Sequence, residues 1–353
     1  MVKAKDDILE LLRQEGAAAA KKKQRGLIIQ PGAIGDCILT LPLARFMKEN
    51  LGLGSIDMFG HTEYIGVFPG RTVVDRVFSV DSLDLHRLFV KPEQFELGAR
   101  DPLITAFAGY SWIVTFLGEP DSDFEQNLIF TANCSYGSEI ITMPAKAPKG
   151  FADHIIRLHI ERFVRESGLT MDASAADLHQ CLMTVDDADR RTGQEVLAEA
   201  GVDNTDKAII IHPGSGGAKK IWHLDNVLSV AQELRSAGFV VLLLLGPAEL
   251  ERFNRSTLKR LQKTGICLSN LSLREVTGVL SCARAFVGND SGITHMAATL
   301  GTKTVAMFGP TDPVIYRPVG PNVTTLKGGA RTFAAKETPR LRQKLLNALR
   351  AES

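Results

Sequence analysis

The chain has 353 residues, which at ~100–200 residues per domain amounts to two domains. A 44% apolar fraction and a mean hydropathy near zero supply enough apolar side chains for sizeable cores and exclude fibrous, collagenous and disordered classes. The 41 basic and 40 acidic side chains leave a net charge of +1, so no global field steers nucleic acid and no nucleic-acid partner is expected.

Residues 1–25 read as an N-terminal arm, helical or loose, ending in Lys21, Lys22, Lys23 and Arg25. Asp6, Asp7 and Glu10 stand where an export signal carries basic residues, so no signal peptide is expected. The longest apolar run, Phe239–Leu245, is far shorter than the ~20 residues of a membrane helix. Five scattered cysteines without a CxxC pair point to a reducing, cytoplasmic setting and away from structural zinc.

A first strand is predicted over Gly26–Gln30, stopped by Pro31-Gly32, with a helix following from about 36 to 50. Further strands are predicted over Ser55–Phe59, Arg76–Val80, Trp112–Leu117 and Glu139–Met143, and a helix over 152–167. The stretch from Gly168 to about Asp206 is mixed in character. Beyond it the alternation is cleaner. Strands are predicted over Ala208–His212, Phe239–Leu245, Gly265–Leu268, Ala285–Gly288 and Thr304–Phe308. Helices are predicted near 224–237, 249–263, 273–282 and 293–300. The strands are near-continuous apolar runs, as in parallel sheets covered on both faces. The expected class is α/β, with two Rossmann-like doubly wound domains over 26–175 and 176–330 and a C-terminal helix within 331–353. Ligands of such sheets bind beyond the carboxyl ends of strands, so chemistry belongs in the loops that follow them.

Three loops qualify. The first runs from Gln30 to Asp36, where Gly32 and Gly35 allow a sharp turn. Asp36 reads either as a helix cap or as a catalytic carboxylate, and the two are compatible. The spacing is GxxG and not the GxGxxG of dinucleotide enzymes. The second, His212 to Trp222, combines Gly214, Ser215, Gly216 and Gly217 with Lys219 and Lys220. Free amides followed by a point charge suit a phosphate, the alternative being an ordinary glycine turn. Trp222 reads as core. The third, Gly288 to His295, opens a helix. Amides from Ser291 to Thr294 would face an anion there, with His295 in the first turn and Asp290 as a cap or ligand. Glu249, after the Phe239–Leu245 strand, reads as a ribose-hydroxyl acceptor or a solvated first-turn residue.

Together these loops resemble glycosyltransferase family 9, the heptosyltransferases of lipopolysaccharide core synthesis. The matching pieces are Leu27–Gln30 with PGAIGDCILTLP, then HPGSGGAKKIW, and most specifically VGNDSGITHMAATLGTKTVAMFGPTDP from Val287 to Pro313. The resemblance implies a GT-B fold, with an acceptor domain and a nucleotide-sugar domain facing a central cleft. It implies inverting transfer from ADP-L-glycero-D-manno-heptose to a lipid-linked saccharide of lipopolysaccharide-core type, without metal or other cofactor. It implies a cytoplasmic enzyme with peripheral contact at the inner membrane face. By motif, Asp36 matches the general base and Lys220 the diphosphate lysine. Asp290, Ser291, Gly292, Ile293, Thr294 and His295 match the donor loop, and Glu249 the ribose side. Lys220-Ile221-Trp222-His223 departs from the family's Lys-Arg/His-Trp-Pro. Other donors or acceptors, a non-catalytic nucleotide-sugar binder and a sugar-nucleotide epimerase are the competing readings.

The C-terminal stretch 338–350 spaces Leu341, Leu345 and Leu349 helically among Arg340, Arg342, Lys344 and Arg350. The resemblance implies a final helix that packs these leucines on the N-terminal domain, the alternative being a basic helix lying on an anionic membrane.

Overall fold

The computed structural model describes residues 24–135, 137–173, 177–329 and 332–351. Of the predicted N-terminal arm, residues 1–23 lie outside the described residues. Two wholly parallel sheets organise the rest. The first has five strands in the order β3-β2-β1-β4-β5: β1 Arg25–Ile29, β2 Ser55–Gly60, β3 Arg76–Ser79, β4 Trp112–Thr115 and β5 Glu139–Thr142. The second has six strands in the order β11-β10-β9-β6-β7-β8: β6 Ala208–His212, β7 Val240–Leu245, β8 Ile266–Ser269, β9 Ala285–Asn289, β10 Thr304–Phe308 and β11 Val323–Lys327. The principal helices are α1 Ile34–Asn50, α2 Asp123–Asn133, α3 Ile155–Ser167, α4 Asp187–Glu199, α5 Leu224–Ser236, α6 Pro247–Arg252, α7 Arg255–Thr264, α8 Leu273–Cys282, α9 Gly292–Thr299 and α10 Pro339–Arg350. None of the described helices is long and apolar enough to cross a membrane.

Alternate residues of each strand serve opposite faces, and in central strands such as β1, β4, β6, β9 and β10 both faces are buried. In β1, Leu27 and Ile29 enter an outer core of the first sheet, and Ile28 an inner core. In β6, Ile209 and Ile211 enter an outer core of the second sheet, while Ile210 enters the same inner core as Ile28. That inner core runs unbroken from one sheet to the other through α1, α3, α8 and α9. The two halves are therefore joined by apolar packing, and their carboxyl-side loops open on one space.

Four elements depart from the sequence expectation. Helix α4 lies in the stretch that showed no period. Its buried face is Asp189, Gly193 and Leu197, and a Cβ on Gly193 would sit 2.3 Å from the backbone of Gly278 in α8. Two glycines that let helix backbones touch leave no apolar stripe to read. The helix predicted over 249–263 is two helices. The first ends at Arg252, and Asn254 caps the second by accepting from the Thr257 N–H at 2.9 Å. β11 is a polar edge strand paired only with β10, so its sequence lacks the apolar run of the others.

Helix α10 packs on the second sheet, not on the N-terminal half. Leu341, Leu345, Leu346 and Leu349 are buried in the second sheet's outer core. Arg342 reaches Glu233 of α5 at 3.3 Å. Deleting residues 338–353 uncovers that face and is expected to lower the thermal midpoint by several degrees or more, with little change in binding to anionic vesicles. Intact stability with lost vesicle binding reverses the assignment.

Candidate functional site

The loops after β1, β4 and β5 of the first sheet and after β6, β9 and β10 of the second line a cleft of about 550 Å³. Asp36 comes from one side, and Lys220, Asp290, Ser291, Gly292 and His295 from the other. Gly32, Gly35, Ser215, Gly216 and Gly217 form much of the floor.

The first loop is braced from below. Gln30, which directly follows β1 and is 5% exposed, donates from Nε2 to Thr40 Oγ1 (3.1 Å) and accepts the Gly32 N–H on Oε1 (3.0 Å). A Cβ on Gly32 would lie 2.8 Å from Asp36 Cβ and 2.9 Å from both Gln30 Oε1 and Asp36 Oδ2, so a larger residue there would displace those side chains. Helix α1 begins at Ile34 with Ala33 as its N-cap, two positions before the predicted start. Asp36 is therefore the third helical residue. It caps by reaching back, accepting the Ala33 N–H on Oδ2 at 3.1 Å. Its side chain is exposed to the cleft.

The second and third loops are stitched together by Asn289, the last residue of β9 and 3% exposed. Its Oδ1 accepts the Trp222 N–H (3.0 Å), and its Nδ2 donates to the carbonyls of Pro213 (3.0 Å) and Gly214 (3.1 Å). Ser215 Oγ donates to the Asp290 carbonyl at 2.7 Å. Trp222 is core, 2% exposed, its indole donating to Thr338 Oγ1. Ser291, not Asp290, caps α9.

Three ionisable groups meet on this wall. Lys220 Nζ lies 2.7 Å from Asp290 Oδ2, and His295 Nε2 3.8 Å from Asp290 Oδ1. Burial pushes the Asp290 carboxyl up, but hydrogen bonding to His295 and Lys220 and their charges more than offset it and hold it at about 2. His295 is 3% exposed, and its Nδ1 has no hydrogen-bond partner among the described residues. Lys219 is exposed and does not line the cleft.

Not every predicted residue arrives. The Thr294 N–H is taken by Ser291 O (3.0 Å) and its hydroxyl by Asn289 O, so it offers the cleft nothing. Ile293 packs partly buried against the inner core. Glu249 is buried rather than solvated. Its Oε2 accepts the Gly246 N–H at 2.9 Å, and its side chain covers Gly214 so closely that a Cβ there would overlap Oε1. Neither Glu249 nor Gly214 lines the cleft. Gly35 and Gly292 bring the starts of α1 and α9 into contact, a Cβ on Gly292 falling 2.7 Å from Ile34 Cβ. The sequence reading assigned no role to Gln30, Asn289 or Lys146. For the first two the available signal was a polar residue at the end of an otherwise apolar strand.

The sequence pattern of glycosyltransferase family 9 (heptosyltransferase) matches residues 146–344, more than half of the chain. Lipopolysaccharide heptosyltransferase 3 of Escherichia coli K12 is 27% identical over 128 residues, 35% of this chain and 37% of that protein. Lipopolysaccharide heptosyltransferase 1 of Pseudomonas aeruginosa is 33% identical over 105 residues, 30% of this chain and 29% of that one. The matched stretches thus span about a third of these curated relatives. The solved E. coli heptosyltransferase WaaC with ADP is 18% identical and superposes with a TM-score of 0.63, covering 92% of this chain and 100% of its own. That likeness shows a shared fold.

Proposed function

The chain belongs to glycosyltransferase family 9, the heptosyltransferase family, and on that premise we propose that it is an inverting, metal-independent transferase. The donor is ADP-L-glycero-D-manno-heptose, and the acceptor a lipid-linked saccharide of lipopolysaccharide-core type met at the inner membrane face. One observation carries the reading. A carboxylate from one half and a lysine, a histidine and a helix start from the other line a single cleft. The relatives' names and the ADP in one structural neighbour support the donor and the acceptor class.

Inversion is one displacement at the anomeric carbon. Asp36 takes the proton of the acceptor hydroxyl as that oxygen bonds the sugar. The bond to the β-phosphate oxygen breaks, and its electron pair leaves on ADP. Lys220 and the amides of Ser291 and Gly292 at the start of α9 oppose the growing charge, with His295 beside them. Asp290 holds Lys220 and His295 in place. Glu249 serves the ribose side through the loops at Gly214 and Gly246 that it braces.

Nucleotide release, followed with and without acceptor and in EDTA, tests the proposal. Release that requires both substrates and survives EDTA is expected. Conversion of the nucleotide sugar without acceptor makes the protein an epimerase, and binding without release a non-catalytic binder. Lys220→Ala is expected to weaken ADP binding about 10–150-fold, the range of a charge-assisted contact, and Lys219→Ala far less. Calorimetric titration checks this, and a larger effect at Lys219 overturns the placement of Lys220.

A further inference from the structure

Two lysines line the cleft among the described residues, and one is already neutralised. Lys220 is paired with Asp290 at 2.7 Å. Lys146 is exposed and has neither hydrogen bond nor ion pair among the described residues. It follows β5 and so belongs to the first sheet, yet its segment is fastened to the second half. The Ala147 N–H donates to the Tyr316 hydroxyl at 3.4 Å. Seven residues on, His154 Nε2 lies 2.9 Å from the Arg317 carbonyl. Burial and the neighbouring Arg317 and His295 charges lower His154 to about 4, against the backbone carbonyl it contacts, so it makes that contact as a neutral donor at neutral pH. Tyr316 and Thr311 line the same cleft from the donor side. Lys146 is thus a first-half cation held over the second half's wall.

The charge balance of the cleft gives this cation a task. Its lining carries Asp36 and Asp290 against Lys146 and Lys220. The diphosphate of a nucleotide sugar enters as a dianion and gains negative charge as its bond to the sugar breaks. Lys220 must share itself between that group and Asp290, whereas Lys146 has no competing partner among the described residues. We propose that Lys146 is a second diphosphate-binding residue, supplied across the cleft by the half opposite the nucleotide. The inference rests on the nucleotide-sugar reading of the cleft. The bonds made and broken are those already described. Lys146 transfers no proton and opposes the charge arriving on the β-phosphate oxygen.

Calorimetric titration of ADP, UDP and GDP into wild type, Lys146→Ala and Lys146→Arg tests this, alongside kcat and both KM values. Lys146→Ala is expected to weaken ADP binding about 5–20-fold, the lower part of the charge-assisted range because the side chain is exposed. Its affinity should also depend less steeply on salt than that of wild type. kcat should fall, and Lys146→Arg should recover most of both. Since Lys146 makes no hydrogen bond or ion pair among the described residues, the ligand-free thermal midpoint should not move. Unchanged ADP affinity in Lys146→Ala overturns the inference, and an accompanying rise in acceptor KM alone reassigns the lysine to the acceptor. If wild type binds none of the three nucleotides, the nucleotide-sugar reading itself falls, and the inference falls with it.

Discussion

Asp36→Asn is expected to cut turnover by about 10²–10⁴-fold while leaving ADP affinity within about twofold of wild type. The carboxylate is exposed to the cleft, and in the proposed reaction it alone takes the acceptor proton. The asparagine side-chain oxygen can still accept the Ala33 N–H that Asp36 Oδ2 holds at 3.1 Å, so the start of α1 should survive. In the proposed reaction none of the nucleotide contacts involves Asp36. Steady-state rates beside a calorimetric ADP titration separate the two quantities. Turnover near the wild-type value would leave Asp36 with only its capping role.

The largest stability effect is expected at Asp189, remote from the chemistry. Asp189 is fully buried on α4. Arg71, from the first half, grips it with both prongs, Nε to Oδ2 at 2.7 Å and Nη2 to Oδ1 at 2.5 Å. Arg274 at the start of α8 adds a contact from Nε to Oδ1 at 3.2 Å. Removing one partner of a buried pair strands the other, which costs about 3–5 kcal/mol. Asp189→Ala should therefore lower unfolding free energy by that amount in denaturant titrations. Arg71→Met combined with Asp189→Leu should restore much of it, since the cost is an uncompensated charge and not a lost shape. A loss under ~1 kcal/mol in the single variant would mean that water screens the pair. The pH dependence has a definite sign. Hydrogen bonding to Arg71 holds the Asp189 carboxyl below its ordinary range, outweighing burial. Its contribution is complete above the unfolded value of ~4 and drains away as pH falls toward the depressed native one. The acid limb of wild-type stability should flatten in Asp189→Ala.

The site was more legible than its supports. Asp36, Lys220, Asp290 and His295 each follow a strand in a glycine-bearing loop, and all four line the cleft. Glu249 also follows a strand but turns inward onto Gly214. Spacing cannot tell these cases apart, because a first-turn side chain points into or out of a cleft according to what packs beside it. Thr294 shows the same limit: its amide and hydroxyl are consumed by Ser291 and Asn289 within the loop.

By itself the sequence determined what local physics carries. Apolar runs such as Ala208–His212 and Thr304–Phe308 specified central parallel strands to the residue, because both faces of such strands must be buried. Glycines beside strand ends specified where backbone and ligand can approach. Tertiary structure alone decided the rest. It placed α4 on α8 through Gly193 and Gly278, a contact without an apolar signature. It laid the leucines of α10 on the second sheet's outer core, though their spacing would have suited any apolar groove or a membrane. It tied Lys220 to Asp290 and placed Lys146, unpaired among the described residues, on the opposite wall. The common reason is that periodicity records how much of an element is buried and on which side. The identity of the partner is set by where the chain's other surfaces lie once both sheets have formed.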